Sequence, residues 1–191
     1  GGLVTITFDN YKVYSDTFNR STPTALSLAR YDLAGASVGD YALFAGGYTG
    51  STYHSTVDAY DTELTRSTPT ALSTARGILA GASVGNYALF AGGYTGSARS
   101  AVVDAYDTEL TRTTPTALSA ARDNLAGASV GDYALFAGGY TGSYSAVVDA
   151  YTTFVSTTYL PITAGSKYKL NSTTETTATS NTTLKVTVPI T

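Results

Sequence analysis

The segment GDYALFAGGYTGS at 39–51 returns as GNYALFAGGYTGS at 85–97 and as GDYALFAGGYTGS at 131–143. Its glycine pairs, Gly46-Gly47, Gly92-Gly93 and Gly138-Gly139, recur every 46 residues. A fixed period of this length implies one supersecondary unit, repeated, with each copy burying an apolar face on its neighbours. At 191 residues the chain holds about four such periods.

The unit beginning at Ala29 reads as four short strands. Residues 29–39 (ARYDLAGASVG) hold an apolar, small-residue strand, and Gly39-Asp40 makes a turn. Tyr41 to Ala45 is a continuous apolar run stopped by Gly46-Gly47, the pattern of a buried strand. After a loop at 48–55, residues 56–61 alternate, with Val57 and Ala59 opposite Asp58 and Tyr60. Residues 62–69 form a polar outer strand, with Pro69 at a position where only an edge or strand end accepts it.

The apolar run into Gly-Gly, the apolar-Asp-x-Tyr-Asp strand and the following Thr-Pro-x-x-Leu-x-x-Ala-Arg together resemble a kelch repeat over residues 11–160. The units also resemble kelch-like arrays of bacterial and phage proteins. One departure is the outer strand, where Arg66 and Arg112 stand near the place of the family's usual Trp. The resemblance implies an all-β, four-bladed kelch-like β-propeller with four antiparallel strands per blade.

Residues 11–20 align without a gap on 57–66, so the chain starts inside a blade, with 3–9 as a preceding strand. The expected division is a partial blade at 1–28, repeat blades at 29–74, 75–120 and 121–160, and C-terminal strands within 161–191, at 166–170 and 183–188. One blade is then shared between the N- and C-termini, which closes the ring and removes exposed sheet edges. In the alternative arrangement the terminal strands pair with a neighbouring copy and build a filament or oligomer.

Composition supports the all-β reading and narrows function. The 16 Tyr and 19 Gly suit pleated surfaces and tight turns. Net charge is −3 and no Lys/Arg cluster occurs, which argues against nucleic acid. No apolar run approaches the roughly 18 residues of a membrane span, so no membrane insertion is expected. There is no visible signal peptide, and Gly1 in place of Met reads as a processed or trimmed start. Zero Cys leaves no disulfide framework, and the Ser/Thr/Tyr/Gly-rich, Lys-poor surface points to an extracellular, cell-surface or virion setting. The sequons at Asn19, Asn171 and Asn181 matter only in a glycosylating pathway.

Recurring residues read first as scaffold. The glycine pairs supply positive φ or backbone room. Two tyrosine sets (Tyr41, Tyr87, Tyr133 and Tyr60, Tyr106, Tyr151) read as packing between blades. Arg30, Arg76 and Arg122 lie toward the same face as Asp58, Asp104 and Asp149 and are expected to pair with them. The rival is an anion ring of those three arginines around a channel mouth. Asp61, Glu63, Asp107 and Glu109 match no calcium loop and read as a solvated edge, so no metal or cofactor is expected.

The differences between units cluster in two places: before the inner strand, at Leu28, Tyr31, Asp32 against Thr74, Gly77, Ile78 and Ala120, Asp123, Asn124, and after the glycine pair, at Thr52, Tyr53, His54 against Ala98, Arg99 and the shortened Tyr144. In an alternating blade both places fall on one rim, while the Gly39-Asp40 turn and its copies on the other side barely change. A constant scaffold with one variable face is how loop-borne binding surfaces are built. The expected function is non-catalytic recognition of a glycan or protein ligand through that rim. His54 is the single histidine and has no cysteine companion, so a nucleophile–base pair or kelch-type copper-radical site is not expected. The competing class is a structural building block joined through its terminal strands.

Overall fold

A computed structural model describes residues 18–153 and, beyond them, 155–162, 164, 167–168, 176–177 and 182–189. It is all-β in these residues, with three successive antiparallel sheets built from the repeats. The first sheet contains β1 (Ala34–Val38), β2 (Tyr41–Ala45), β3 (Val57–Tyr60) and β4 (Arg66–Ser67), hydrogen-bonded in that order. The second contains β5 (Ala80–Val84), β6 (Tyr87–Ala91), β7 (Val103–Tyr106) and β8 (Arg112–Thr113). The third has three strands, β9 (Ala126–Val130), β10 (Tyr133–Ala137) and β11 (Val148–Tyr151).

Turn chemistry sets these boundaries. Val38 pairs with Tyr41 across a two-residue hairpin loop whose first position, Gly39, takes φ 51°. β2 ends where Gly46 and Gly47 take φ 69° and 113°. A Cβ on Gly46 would lie 2.5 Å from the Arg76 carbonyl of the next sheet, so both conformation and space demand glycine there. The outer strand expected over 62–69 is reduced to Arg66–Ser67. The reason is a side-chain-closed turn: Asp61 Oδ1 accepts from the amides of Glu63 (3.1 Å) and Thr65 (2.8 Å), and Leu64 takes φ 61°. Asp107 repeats this turn in the second sheet.

The sheets stack face to face in chain order, β1 against β5 and β5 against β9. One face of the first sheet, including Ala34, Val38, Leu43, Val57 and Ala59, packs on Leu72, Leu79, Ala88, Phe90 and Tyr106. The second sheet packs in the same way on Leu118, Leu125, Ala134 and Phe136. Edge-on ring pairs Phe44–Tyr60, Phe90–Tyr106 and Phe136–Tyr151, with centroids 5.8–6.0 Å apart, repeat in each unit. The hydroxyls of Tyr60, Tyr106 and Tyr151 each donate to a backbone carbonyl, of Thr24, Thr70 and Thr116. Burial, with the nearby Asp149 carboxylate adding to it, pushes the Tyr151 hydroxyl up to about 12.

Beyond Tyr151, β12 (Val155–Ile162) pairs with β15 (Thr182–Pro189), and β13 (Lys167–Tyr168) pairs with β14 (Thr176–Thr177). The described C-terminal strands therefore pair with one another, and the described sheets do not close on themselves. The N-terminal part of the expected shared blade, residues 1–17, lies outside the described residues, as do Asn171 and Asn181.

Candidate binding rim

In each sheet the loop leading into the inner strand and the loop leaving the second strand lie at the same end, because Ala34 pairs with Ala45. Isolated bridges fasten the two loops together: Tyr31 to Tyr48 and Tyr48 to Tyr53, Gly77 to Tyr94 and Tyr94 to Arg99, Asp123 to Tyr140 and Tyr140 to Tyr144. Both sets of variable positions thus come together on one rim. The Gly39-Asp40, Gly85-Asn86 and Gly131-Asp132 turns sit at the opposite ends of the same strands.

The rim is continuous from sheet to sheet. Tyr31 meets Tyr48 edge-on with centroids 5.6 Å apart, and Tyr48 lies 4.5 Å from Tyr53. Tyr53 crosses to the second sheet and meets Tyr94 at 5.8 Å. Arg99 makes the next crossing, with its guanidinium carbon 4.4 Å from the Tyr140 ring centroid and Nε 3.3 Å from Asp123 Oδ1. Tyr140 then meets Tyr144 at 5.9 Å. Tyr31 and Tyr144 are exposed, Tyr53 and Arg99 half-buried, and Asp123 buried. Partial burial, then the neighbouring Tyr48 and Tyr94, raises the Tyr53 hydroxyl, which stays a neutral donor near pH 7.

His54 is half-buried, with Nε2 3.3 Å from Thr49 Oγ1, and its backbone holds the loop to the Gly47 carbonyl and the Arg76 amide. Tyr48, Tyr94 and Tyr140 belong to the rim although they lie inside the constant segment. Their invariance hid them from a comparison of differences, and their place directly after the glycine pair was the available signal.

Asp32, Ile78 and Asn124 occupy one position in the three units, all with φ of 55–57°. Their backbones link neighbouring sheets, the Ile78 amide donating to the Asp32 carbonyl (2.8 Å) and the Asn124 amide to the Ile78 carbonyl (3.1 Å). Aspartate and asparagine tolerate this left-handed conformation, whereas a β-branched isoleucine is strained by it. Such strain is concentrated at functional sites.

Beneath the rim lies a charge clamp. Arg30 Nη1 meets Asp58 at 2.9 Å, Arg76 Nη1 meets Asp104 at 2.9 Å, and Arg122 Nη2 meets Asp149 at 2.8 Å. Each of these arginine side chains is fully buried, and each also donates to a β2-type strand carbonyl (Phe44, Phe90 or Phe136). The guanidiniums are thus engaged within the scaffold, as the pairing expectation has it, and none is exposed as an anion ring requires. Burial alone would raise the Asp58 carboxyl, but hydrogen bonds from Ser27 and Arg30 and the Arg30 charge outweigh it and hold the group below the usual carboxylate value. Arg66 and Arg112 add a second guanidinium to Asp58 (3.6 Å) and Asp104 (2.8 Å). Their spacing within one unit concealed this role, which depends on Tyr60 pairing with Arg66 and Tyr106 with Arg112.

Among the described residues no cluster of His, Asp and Glu is placed to hold a metal. No family model matches the chain, and no curated protein matches it.

Proposed function

We propose that the chain is a non-catalytic recognition module of the kelch-type β-propeller kind, binding a glycan or protein through its variable rim on an extracellular or virion appendage. The repeated sheets stacked face to face serve as blades, and the rim carries the loops. The observation that carries this reading is the strip from Tyr31 through Tyr48, Tyr53 and Tyr94 to Arg99, Asp123, Tyr140 and Tyr144. It crosses both sheet boundaries, and its variable members are among the positions at which otherwise near-identical units differ. Tyrosine offers flat amphipathic area at low entropic cost and stacks on sugar rings or apolar protein surface. Drift alone would alter the opposite turns as readily as the rim, yet those turns barely differ.

A glycan array probed with the wild-type chain, Tyr53→Ala and Tyr144→Ala tests the reading. The expected result is a defined glycan class bound by the wild type and weakened at least tenfold by each variant. If the variants bind as the wild type does, or if a cell-surface protein and glycan screen returns nothing, the rim is not a recognition surface.

A further inference from the structure

Among the described residues the stack leaves two apolar ends uncovered, and they are the two halves of the junction already used twice inside the chain. On the first sheet, Leu26, Leu33, Ala42, Phe44, Tyr60 and Leu64 line an open apolar cavity of about 680 Å³. These are the counterparts, one unit earlier, of Leu72, Leu79, Ala88, Phe90, Tyr106 and Leu110, which receive the first sheet. On the third sheet, Val130 is 61% exposed, Val148 57% and Tyr133 50%. Their counterparts Val84 and Val103, which face the third sheet, are 4% and 0% exposed.

We infer that a second copy of this chain covers these ends, its third sheet seated in the first-sheet cavity and its own cavity receiving the third sheet. Two such junctions related by a twofold axis close a ring of six sheets, within the range of about four to eight blades that propellers use. This rests on the propeller reading of the stack but not on any ligand at the rim.

Three observations choose a second copy over another occupant. The inner and second strands that insert at each internal junction, AGASV and YALFA, are identical in all three units, and no segment after Tyr151 carries either. Secondly, a Cβ on Gly81 would lie 2.2 Å from the Gly35 carbonyl, and one on Gly127 2.2 Å from the Gly81 carbonyl. Gly35 starts this series, yet the nearest described atom to its Cβ position is a Phe44 ring carbon at 3.5 Å. In a head-to-tail pair, Gly127 of the second copy supplies the missing close contact. Thirdly, the Ser37 amide donates to Ser83 Oγ and the Ser83 amide to Ser129 Oγ. Among the described residues this ladder stops at Ser129, and the Ser37 hydroxyl of a second copy is placed to continue it.

The test is native mass spectrometry and light scattering of the full chain across 1–100 µM, with Gly35→Ala and Ala128→Arg. Both substitutions fall on an uncovered end, so circular dichroism and melting of the isolated chain should change little. The wild type is expected at twice the 19.7 kDa of one chain, and each variant is expected to dissociate at least about 100-fold more readily. A wild-type monomer at 100 µM, as closure by the chain's own ends would give, overturns the inference. Polymers that lengthen with concentration overturn the closed pair, and a dimer untouched by both variants overturns the faces assigned to it. Binding at the rim is read separately with the same variants, so failure of the pair leaves the recognition reading standing, and the reverse.

Discussion

Replacing Asp104 with alanine tests the charge clamp that holds the rim loops to the sheets. The Asp104 side chain is fully buried and accepts from Arg76 Nη1 at 2.9 Å and Arg112 Nη1 at 2.8 Å. It also accepts from the Ser73 amide at 3.2 Å and the Ser73 hydroxyl at 3.1 Å. Burial lowers the Arg76 pKa, and the Asp104 charge and hydrogen bond are what oppose that burial. Truncation therefore leaves a buried guanidinium without its counter-charge, a loss of about 3–5 kcal/mol. In a domain of this size each kcal/mol moves Tm by about 2–4 °C, giving a fall of about 6–20 °C.

Urea unfolding followed by circular dichroism measures this, with an unchanged m-value confirming a two-state comparison. The double variant Asp104→Ala/Arg76→Met is expected to recover much of the loss, because exchanging a buried pair for apolar groups is often close to neutral. Arg112→Met, whose side chain is 25% exposed, is expected to cost about 1 kcal/mol or less. A loss below about 1 kcal/mol for Asp104→Ala, or a double variant no more stable than the single one, would refute the reasoning.

Other perturbations follow from the same geometry. Ile78→Asn places in the second unit the residue that the third unit already uses at φ 55°, and is expected to raise stability by about 1 kcal/mol in thermal melts. Gly81→Ala directs a methyl into the Gly35 carbonyl and is expected to cost about 2 kcal/mol or more in urea unfolding, whereas Gly35→Ala meets only ordinary van der Waals contact within its own chain and is expected to leave the isolated chain's fold little changed. Asp58 is held below its ordinary value of 3.8, so its contribution is present above that pH and is lost as pH falls through the lower folded value. Acid titration of wild type and Asp58→Asn should show a shallower loss of stability below about pH 4 in the variant.

Legibility from sequence followed local chemistry. β2 was readable to the residue because Tyr41–Ala45 is apolar throughout and glycine turns bound both ends. The inner strand was placed broadly, since Arg30, Tyr31 and Asp32 look compatible with extension until Asp32 is seen at φ 57°. Thr62 to Pro69 could not be divided into turn and strand, because polar residues serve both and only the Asp61 side-chain bonds decide. The Arg30–Asp58 pairing was readable because an alternating strand order puts both charges on one side. Alternation in β3 did not foretell exposure, since Asp58 is as buried as Val57 once Arg30 compensates its charge. The rim was legible as two clusters of differences, but its continuity depends on Tyr53 and Arg99 each reaching the next sheet, a distance no single unit encodes.

The recognition reading meets its most direct test in amide chemical-shift mapping by NMR, using the glycan or protein selected by the array and surface screen. Perturbations are expected at Tyr31, Asp32, Tyr53, Arg99, Asp123 and Tyr144 and at the constant Tyr48, Tyr94 and Tyr140 between them. Perturbations centred instead on the Gly39-Asp40, Gly85-Asn86 and Gly131-Asp132 turns, with the rim silent, would contradict it.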